Sequence, residues 1–171
     1  GFGLPRHNDE GALAPNGRFL VYHSNESGKA EVYVREVTPQ GPPGPGKWQI
    51  STVWQNPDLP MYMSTPVESG GYLFGLTNRN RGQFFGLDLG SGKTMWATKG
   101  REAENAAFLT AGNLVMAMTT EGELVVMRGN PKAFDVVKRY TLAESPVWAH
   151  PALVGGGIVV KDLDTLAYWV F

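Results

Sequence analysis

Apolar positions along this chain come in short runs rich in valine, tyrosine, phenylalanine and leucine, each closed by glycine, asparagine, aspartate or serine. Helical spacing, with apolar residues recurring at three and four, is nearly absent. The pattern therefore predicts strands joined by tight turns. Residues 19–23 and 30–37 are two such runs, and the polar Asn25-Glu26-Ser27-Gly28 between them predicts a hairpin. Residues 39–46 hold four prolines and three glycines, too few N–H groups for a ladder, and predict a loop. Residues 48–52 predict one more short strand.

From residue 61 the pattern repeats itself. Residues 66–74 are echoed by 107–115 and again by 151–159, each a short strand, a glycine-containing turn and a second strand. Taking Leu73, Leu114 and Ile158 as equivalent gives spacings of 41 and 44 residues. Residues 81–87, 121–127 and 164–169 then fill one slot, a turn followed by a strand, and residues 94–98 and 134–141 supply longer return strands. One such meander cannot bury its apolar face alone, so successive units must stack. The expected fold is all-β, a partial β-propeller of three to four stacked four-stranded antiparallel blades. One blade is expected in 1–52, a junction in 53–60, and further units near 61–100, 101–142 and 143–171.

Composition narrows the function classes. With 42% hydrophobic and 18% charged residues in 171, the chain has the make-up of a folded protein. Fifteen basic residues meet sixteen acidic ones, and no stretch concentrates one sign beyond short pairs such as Arg79 and Arg81, so binding to nucleic acid has no electrostatic footing. The absence of cysteine removes disulfides, thiolate metal sites and a cysteine nucleophile. Apolar stretches such as 114–118 and 158–160 fall far short of the ~20 residues that cross a bilayer, so no membrane insertion is expected. The chain opens on Gly-Phe-Gly, and the expectation is a fragment of a longer protein.

The run Leu87-Asp88-Leu89-Gly90-Ser91-Gly92-Lys93-Thr94-Met95-Trp96 resembles the signature of quinoprotein-type (PQQ-like) β-propeller repeats: Leu-Asp, two residues, Thr-Gly-Lys, two residues, Trp. Ser91 replaces the threonine. The resemblance covers about 54–171, with one well-formed copy and two degenerate ones. It implies that Asp88 and Ser91 shape the turn, that Gly92 takes positive φ ahead of Lys93, and that Trp96 packs between neighbouring blades. Residues 14–28 resemble the TolB-like, WD40-like repeat instead, over about 8–52, with Asn16 where aspartate is usual.

Candidate chemistry is sparse. His7, His23 and His150 are the only histidines and show no metal-ligand spacing, so no metal site is expected. Ser91 lacks the Gly-x-Ser-x-Gly elbow of a hydrolase, and the same stretch lacks the spacing of a phosphate loop, so no catalytic residue is nominated. Residues 100–106 and 145–151 are the most distinctive polar-aromatic stretches, at equivalent points of successive repeats. They nominate Glu104, Asn105, Trp148 and His150 as ligand-binding candidates, with Arg79 and Arg81 as cations that could face an anion. The quinoprotein resemblance implies two functions. One is a non-catalytic, extracytoplasmic or periplasmic binding scaffold for a protein or peptide, without cofactor. The alternative is the carboxy-terminal part of a dehydrogenase holding pyrroloquinoline quinone with Ca2+. The TolB-like stretch adds a third, the sensor propeller of a signalling protein.

Overall fold

The computed structural model describes residues 11–13, 19–24, 31–40, 47–61 and 63–171. Its strands form four antiparallel sheets, each in plain chain order. The first contains β1 (Gly11–Leu13), β2 (Phe19–Ser24), β3 (Glu31–Gln40) and β4 (Lys47–Asn56). The second contains β5 (Val67–Ser69), β6 (Tyr72–Thr77), β7 (Gln83–Asp88) and β8 (Thr94–Ala97). The third is β9 (Ala106–Ala111), β10 (Leu114–Thr119), β11 (Glu123–Arg128) and β12 (Val136–Thr141). The fourth has three strands, β13 (Ala152–Val154), β14 (Gly157–Lys161) and β15 (Leu166–Val170). This is the stacked-meander architecture of a partial propeller.

Register fixes which residues repeat. The first hairpin of each later sheet closes on Ser69 opposite Tyr72, Ala111 opposite Leu114 and Val154 opposite Gly157. The equivalent positions are thus Tyr72, Leu114 and Gly157, spaced 42 and 43 apart, rather than Leu73, Leu114 and Ile158. The glycine runs at 70–71 and 155–157 explain the slip, since several glycines can serve as the turn and only pairing decides among them. A bulge recurs as well. Pairing shifts between Val34 and Arg35, between Gly86 and Leu87, and between Val126 and Met127, always where the third strand meets the fourth.

Two side-chain sets alternate along each strand and point to opposite neighbours. Val32 and Val34 of the first sheet meet Leu73, Phe85 and Leu87 of the second. Phe74, Leu76 and Phe84 leave the other side of the second sheet to meet Phe108, Val115 and Met127 of the third. Met116, Met118 and Leu124 leave the third sheet to meet Ile158 and Val160 of the fourth. Both faces of β6, β7, β10 and β11 are buried while β12 is exposed throughout, and each apolar layer lies between sheets.

Tight linkers follow from glycine. Gly82 and Gly122 end equivalent turns and hold positive φ, 112° and 84°. A Cβ at either would strike the carbonyl of the incoming linker, Ala103 or Ala143 respectively. Gly82 O accepts from Glu102 N at 2.8 Å and Gly122 O from Leu142 N at 2.9 Å, which straps each linker to the sheet it leaves.

The predicted hairpin of 19–23 with 30–37 forms, as β2 against β3. The loop expected over 39–46 begins later: Pro39 and Gln40 remain in β3, opposite Trp48 and Lys47. Beyond Glu36 the strand pairs with β2 no further, so among the described residues Pro39 removes no ladder bond on that side. Residues 41–46, His7 and the turn at 25–28 lie outside the described residues. β4 runs on to Asn56, four residues past the expected end of the first unit.

Candidate functional site

Asn105 opens the site. Its backbone N–H donates to Thr120 Oγ1 at 3.2 Å, its carbonyl accepts from Thr120 N at 3.0 Å, and its side-chain Nδ2 donates to the Met63 carbonyl at 3.0 Å. Ser64 Oγ adds a bond to the Ala106 carbonyl at 2.8 Å. Asn105 thereby holds the linker into the second sheet with its side chain and the β10–β11 turn with its backbone, and Ser64 ties that linker to the first strand of the third sheet. The next linker is pinned by the buried Val147, whose N–H donates to the Thr120 carbonyl at 3.1 Å. With Val147 turned inward, Trp148 and His150 stand at the surface, Trp148 54% exposed.

These elements enclose a cleft of about 190 Å³, with Met63, Ala106 and Val147 among its walls and Asn105, Trp148 and His150 around it. His150 Nδ1 lies 3.1 Å from the Pro151 carbonyl, which can only accept. In this contact Nδ1 is the donor, and Nε2 is not engaged in it. The cleft therefore combines apolar walls, an exposed indole and a few polar atoms on a hydrogen-bonded base. No acid–base pair faces into it, and among the described residues no cluster of three or more potential metal ligands occurs. It can hold an apolar or aromatic group with one or two hydrogen bonds.

Three nominated residues join this cleft, Asn105, Trp148 and His150; three others do not line it. Arg79 and Arg81 sit in a 3₁₀ turn between β6 and β7, one sheet away, with Arg79 3.4 Å from Asp58 and both partners well exposed. Such a pair contributes ~1 kcal/mol at most. Arg81 holds φ 64° at the turn's end. Glu104 is exposed, and only its backbone is engaged, donating to Glu121 Oε1 at 2.9 Å while Arg101 binds the same oxygen at 3.1 Å. Sequence reasoning missed Met63 and Thr120. They arrive from a linker and a turn of different sheets, and only stacking brings them beside Trp148.

The turn after β7 is held by its own side chains. Asp88 Oδ1 accepts from Ser91 N at 2.8 Å and from Ser91 Oγ at 2.6 Å, and these bonds hold its carboxyl below the usual range. Gly92 takes φ 73° and lies under the Trp54 ring, where a Cβ would come within 2.5 Å of Cδ2. Trp96 bridges sheets: its Nε1 donates to the Asn130 carbonyl at 2.9 Å and its ring lies 6.1 Å from Phe74 and 5.7 Å from Phe134. It is half-buried rather than fully buried. Trp54, in the stretch expected to be a junction, is its counterpart. It pairs with Val34 as Trp96 pairs with Gly86, and donates to the Leu89 carbonyl at 2.7 Å. The 42-residue spacing from Trp54 to Trp96 was the signal available in the sequence.

No family model matches the chain, and no curated protein matches it. Solved structures do. The computationally designed Ika4 protein superposes with TM-score 0.64 at 14% identity, covering 98% of this chain and 95% of its own. BamB from Moraxella catarrhalis, a β-propeller, gives 0.57 at 18% identity over 89% of this chain and 44% of its own. Hsv2 of Kluyvelomyces marxianus, also a propeller, gives 0.53 at 9% over 90% and 44%. The chain thus spans a little under half the length of BamB and Hsv2. At these identities the likeness establishes the fold, and the fold is that of a β-propeller arc.

Proposed function

We propose that this chain is a non-catalytic binding module, with the cleft around Asn105, Trp148 and His150 as its contact point for a protein or peptide. One observation carries the reading: an exposed indole stands beside a small apolar cleft whose base is held rigid by the hydrogen bonds of Asn105. Exposed aromatic side chains beside pre-formed pockets are the usual anchors of protein recognition. The cleft has room for one side chain, which favours a peptide over a large planar cofactor. An extracytoplasmic setting and a PQQ-like ancestry belong to the same proposal and rest on the sequence resemblance. Among the described residues no helix is long and apolar enough to cross a membrane.

Selection of a random linear peptide library against the purified chain tests the reading. Peptides sharing an apolar or aromatic residue should emerge, and Trp148→Ala should weaken them at least about tenfold without loss of folding. Peptides indifferent to Trp148→Ala and Asn105→Ala would refute the cleft as the contact point. Calorimetry with pyrroloquinoline quinone and Ca2+ separates the alternative, since saturable one-to-one heat would favour the dehydrogenase.

A further inference from the structure

No aspartate, glutamate, lysine or arginine lines the cleft around Asn105, Trp148 and His150. One step out along the chain this changes. Of the residues that directly precede or follow the lining ones, only Glu104 and Glu121 carry charge, and both are acidic. Glu121 is already bound within the protein. Its Oε1 accepts from Arg101 at 3.1 Å and from the Glu104 N–H at 2.9 Å, and its Oε2 lies 3.1 Å from the Thr120 hydroxyl on the cleft wall. Glu104 differs: its side chain is exposed, and its carboxylate makes no hydrogen bond or ion pair among the described residues. Its backbone is nonetheless fixed, by Glu121 at its own N–H and by the three bonds of Asn105 next to it. The free charge at the cleft's rim is thus a carboxylate on a rigid support.

We propose that the occupant of this cleft is a basic peptide, which seats an apolar or aromatic side chain in the cleft and sets a lysine or arginine against Glu104. The inference rests on the binding-module reading above and adds the sign of the ligand's charge to it. Charge recognition belongs at the rim, because the apolar walls would strip water from a charged side chain and give it no partner. At the rim the signs decide. The guanidinium of Arg101 is held by Glu121, so a basic ligand residue gains the unpaired carboxylate of Glu104, whereas an acidic one meets two carboxylates. Such complementarity selects among partners more than it tightens any one of them. The seated side chain supplies most of the affinity, and the exposed ion pair adds a modest, salt-sensitive part.

Short capped peptides with a central leucine or phenylalanine flanked on both sides by lysine, glutamine or glutamate test the proposal by calorimetry on the full chain. The lysine peptides should bind at least about threefold tighter than the glutamate ones, and the gap should narrow as salt rises. Glu104→Gln should remove the gap and Glu104→Lys should reverse it, both with unchanged circular dichroism, while Trp148→Ala should weaken every peptide alike. Lysine and glutamate peptides that bind equally, yet still depend on Trp148, would overturn the inference and leave the binding-module reading standing. A lysine preference that survives Glu104→Gln would do the same. Peptides that fail to bind, or that ignore Trp148→Ala, would overturn that reading and the inference with it.

Discussion

Between the second and third sheets, Phe84 packs edge-on to Phe108 at 5.8 Å and against Phe134 at 5.6 Å, while Trp96 lies across Phe74 and Phe134 and is bonded to Asn130. Arg139 adds a strap, reaching Glu123 at 2.6 Å and Glu102 at 3.0 Å and lying over the Phe134 ring. Burial opposes its charge, but the two carboxylates outweigh that and raise its pKa. Between the third and fourth sheets the same register positions read differently. Lys138 stands where Trp54 and Trp96 stand, each paired across the recurring bulge. A gap of about 660 Å³ lies between Leu142, Ala143 and the partly exposed Trp169. The pairing register is the same at both junctions, but the fourth sheet has three strands where the second and third have four, so side chains and strand number together separate the closed junction from the open one. Stacking in this fold is thus a property of each interface, as expected for a quasi-one-dimensional repeat.

The sharpest way to break that comparison is to truncate equivalent residues. Phe84→Ala removes a ring that is 1% exposed and should cost about 3–5 kcal/mol. Leu166→Ala, at the equivalent position of the fourth sheet, should change stability by less than about 0.5 kcal/mol. Urea midpoints at constant slope measure both, and similar losses would mean the two sheets are equally packed. Gly82→Ala comes next. The left-handed backbone alone costs about 1–3 kcal/mol for a residue with a side chain, and the collision with the Ala103 carbonyl adds to it. A neutral outcome would show that the linker strap can move.

The tryptophan clip gives a smaller and more specific contrast. Trp96→Ala should lose about 2–3 kcal/mol, the low side for a large aromatic because the ring is half-buried. Trp96→Phe isolates the bond to Asn130 and should lose about 1 kcal/mol. Lys138→Trp places the clip where the third sheet lacks it and should gain less than about 0.5 kcal/mol. A large gain would show that an acceptor carbonyl is already in place on the fourth sheet. Smallest is the acid response of the exposed turn after β14. The Thr165 N–H, followed by its hydroxyl and Asp164 N–H, holds the Asp162 carboxyl down to about 2. A folded value below the usual ~3.9 means that the turn's support is complete above about pH 4 and is lost as pH falls through about 2. The Thr165 amide shift, followed by NMR, should titrate near 2 and stay flat in Asp162→Asn.

What the sequence made legible was local. The Asp88–Ser91–Gly92 turn could be read because its partners lie within one motif, and Trp96 because that turn precedes it at fixed spacing. Trp54 was harder, since no Asp-turn precedes it; its acceptor, Leu89, sits 35 residues on, much as Asn130 sits 34 on from Trp96. The exact repeat register was hidden by consecutive glycines, which offer several possible turns until strand pairing selects one. In the cleft, Asn105, Trp148 and His150 stood out as polar and aromatic residues at equivalent points. Met63 and Thr120 have no such mark, because their role comes from three sheets meeting. Arg79 and Arg81 carried charge but sit in a turn that belongs to another sheet.

Hydrogen exchange, resolved by strand, tests the stacked-sheet account most directly. Amides of β10 and β11, covered on both faces, should exchange only with global unfolding, while those of β15 should exchange orders of magnitude faster. Protection in β15 equal to that in β10 and β11 would contradict it.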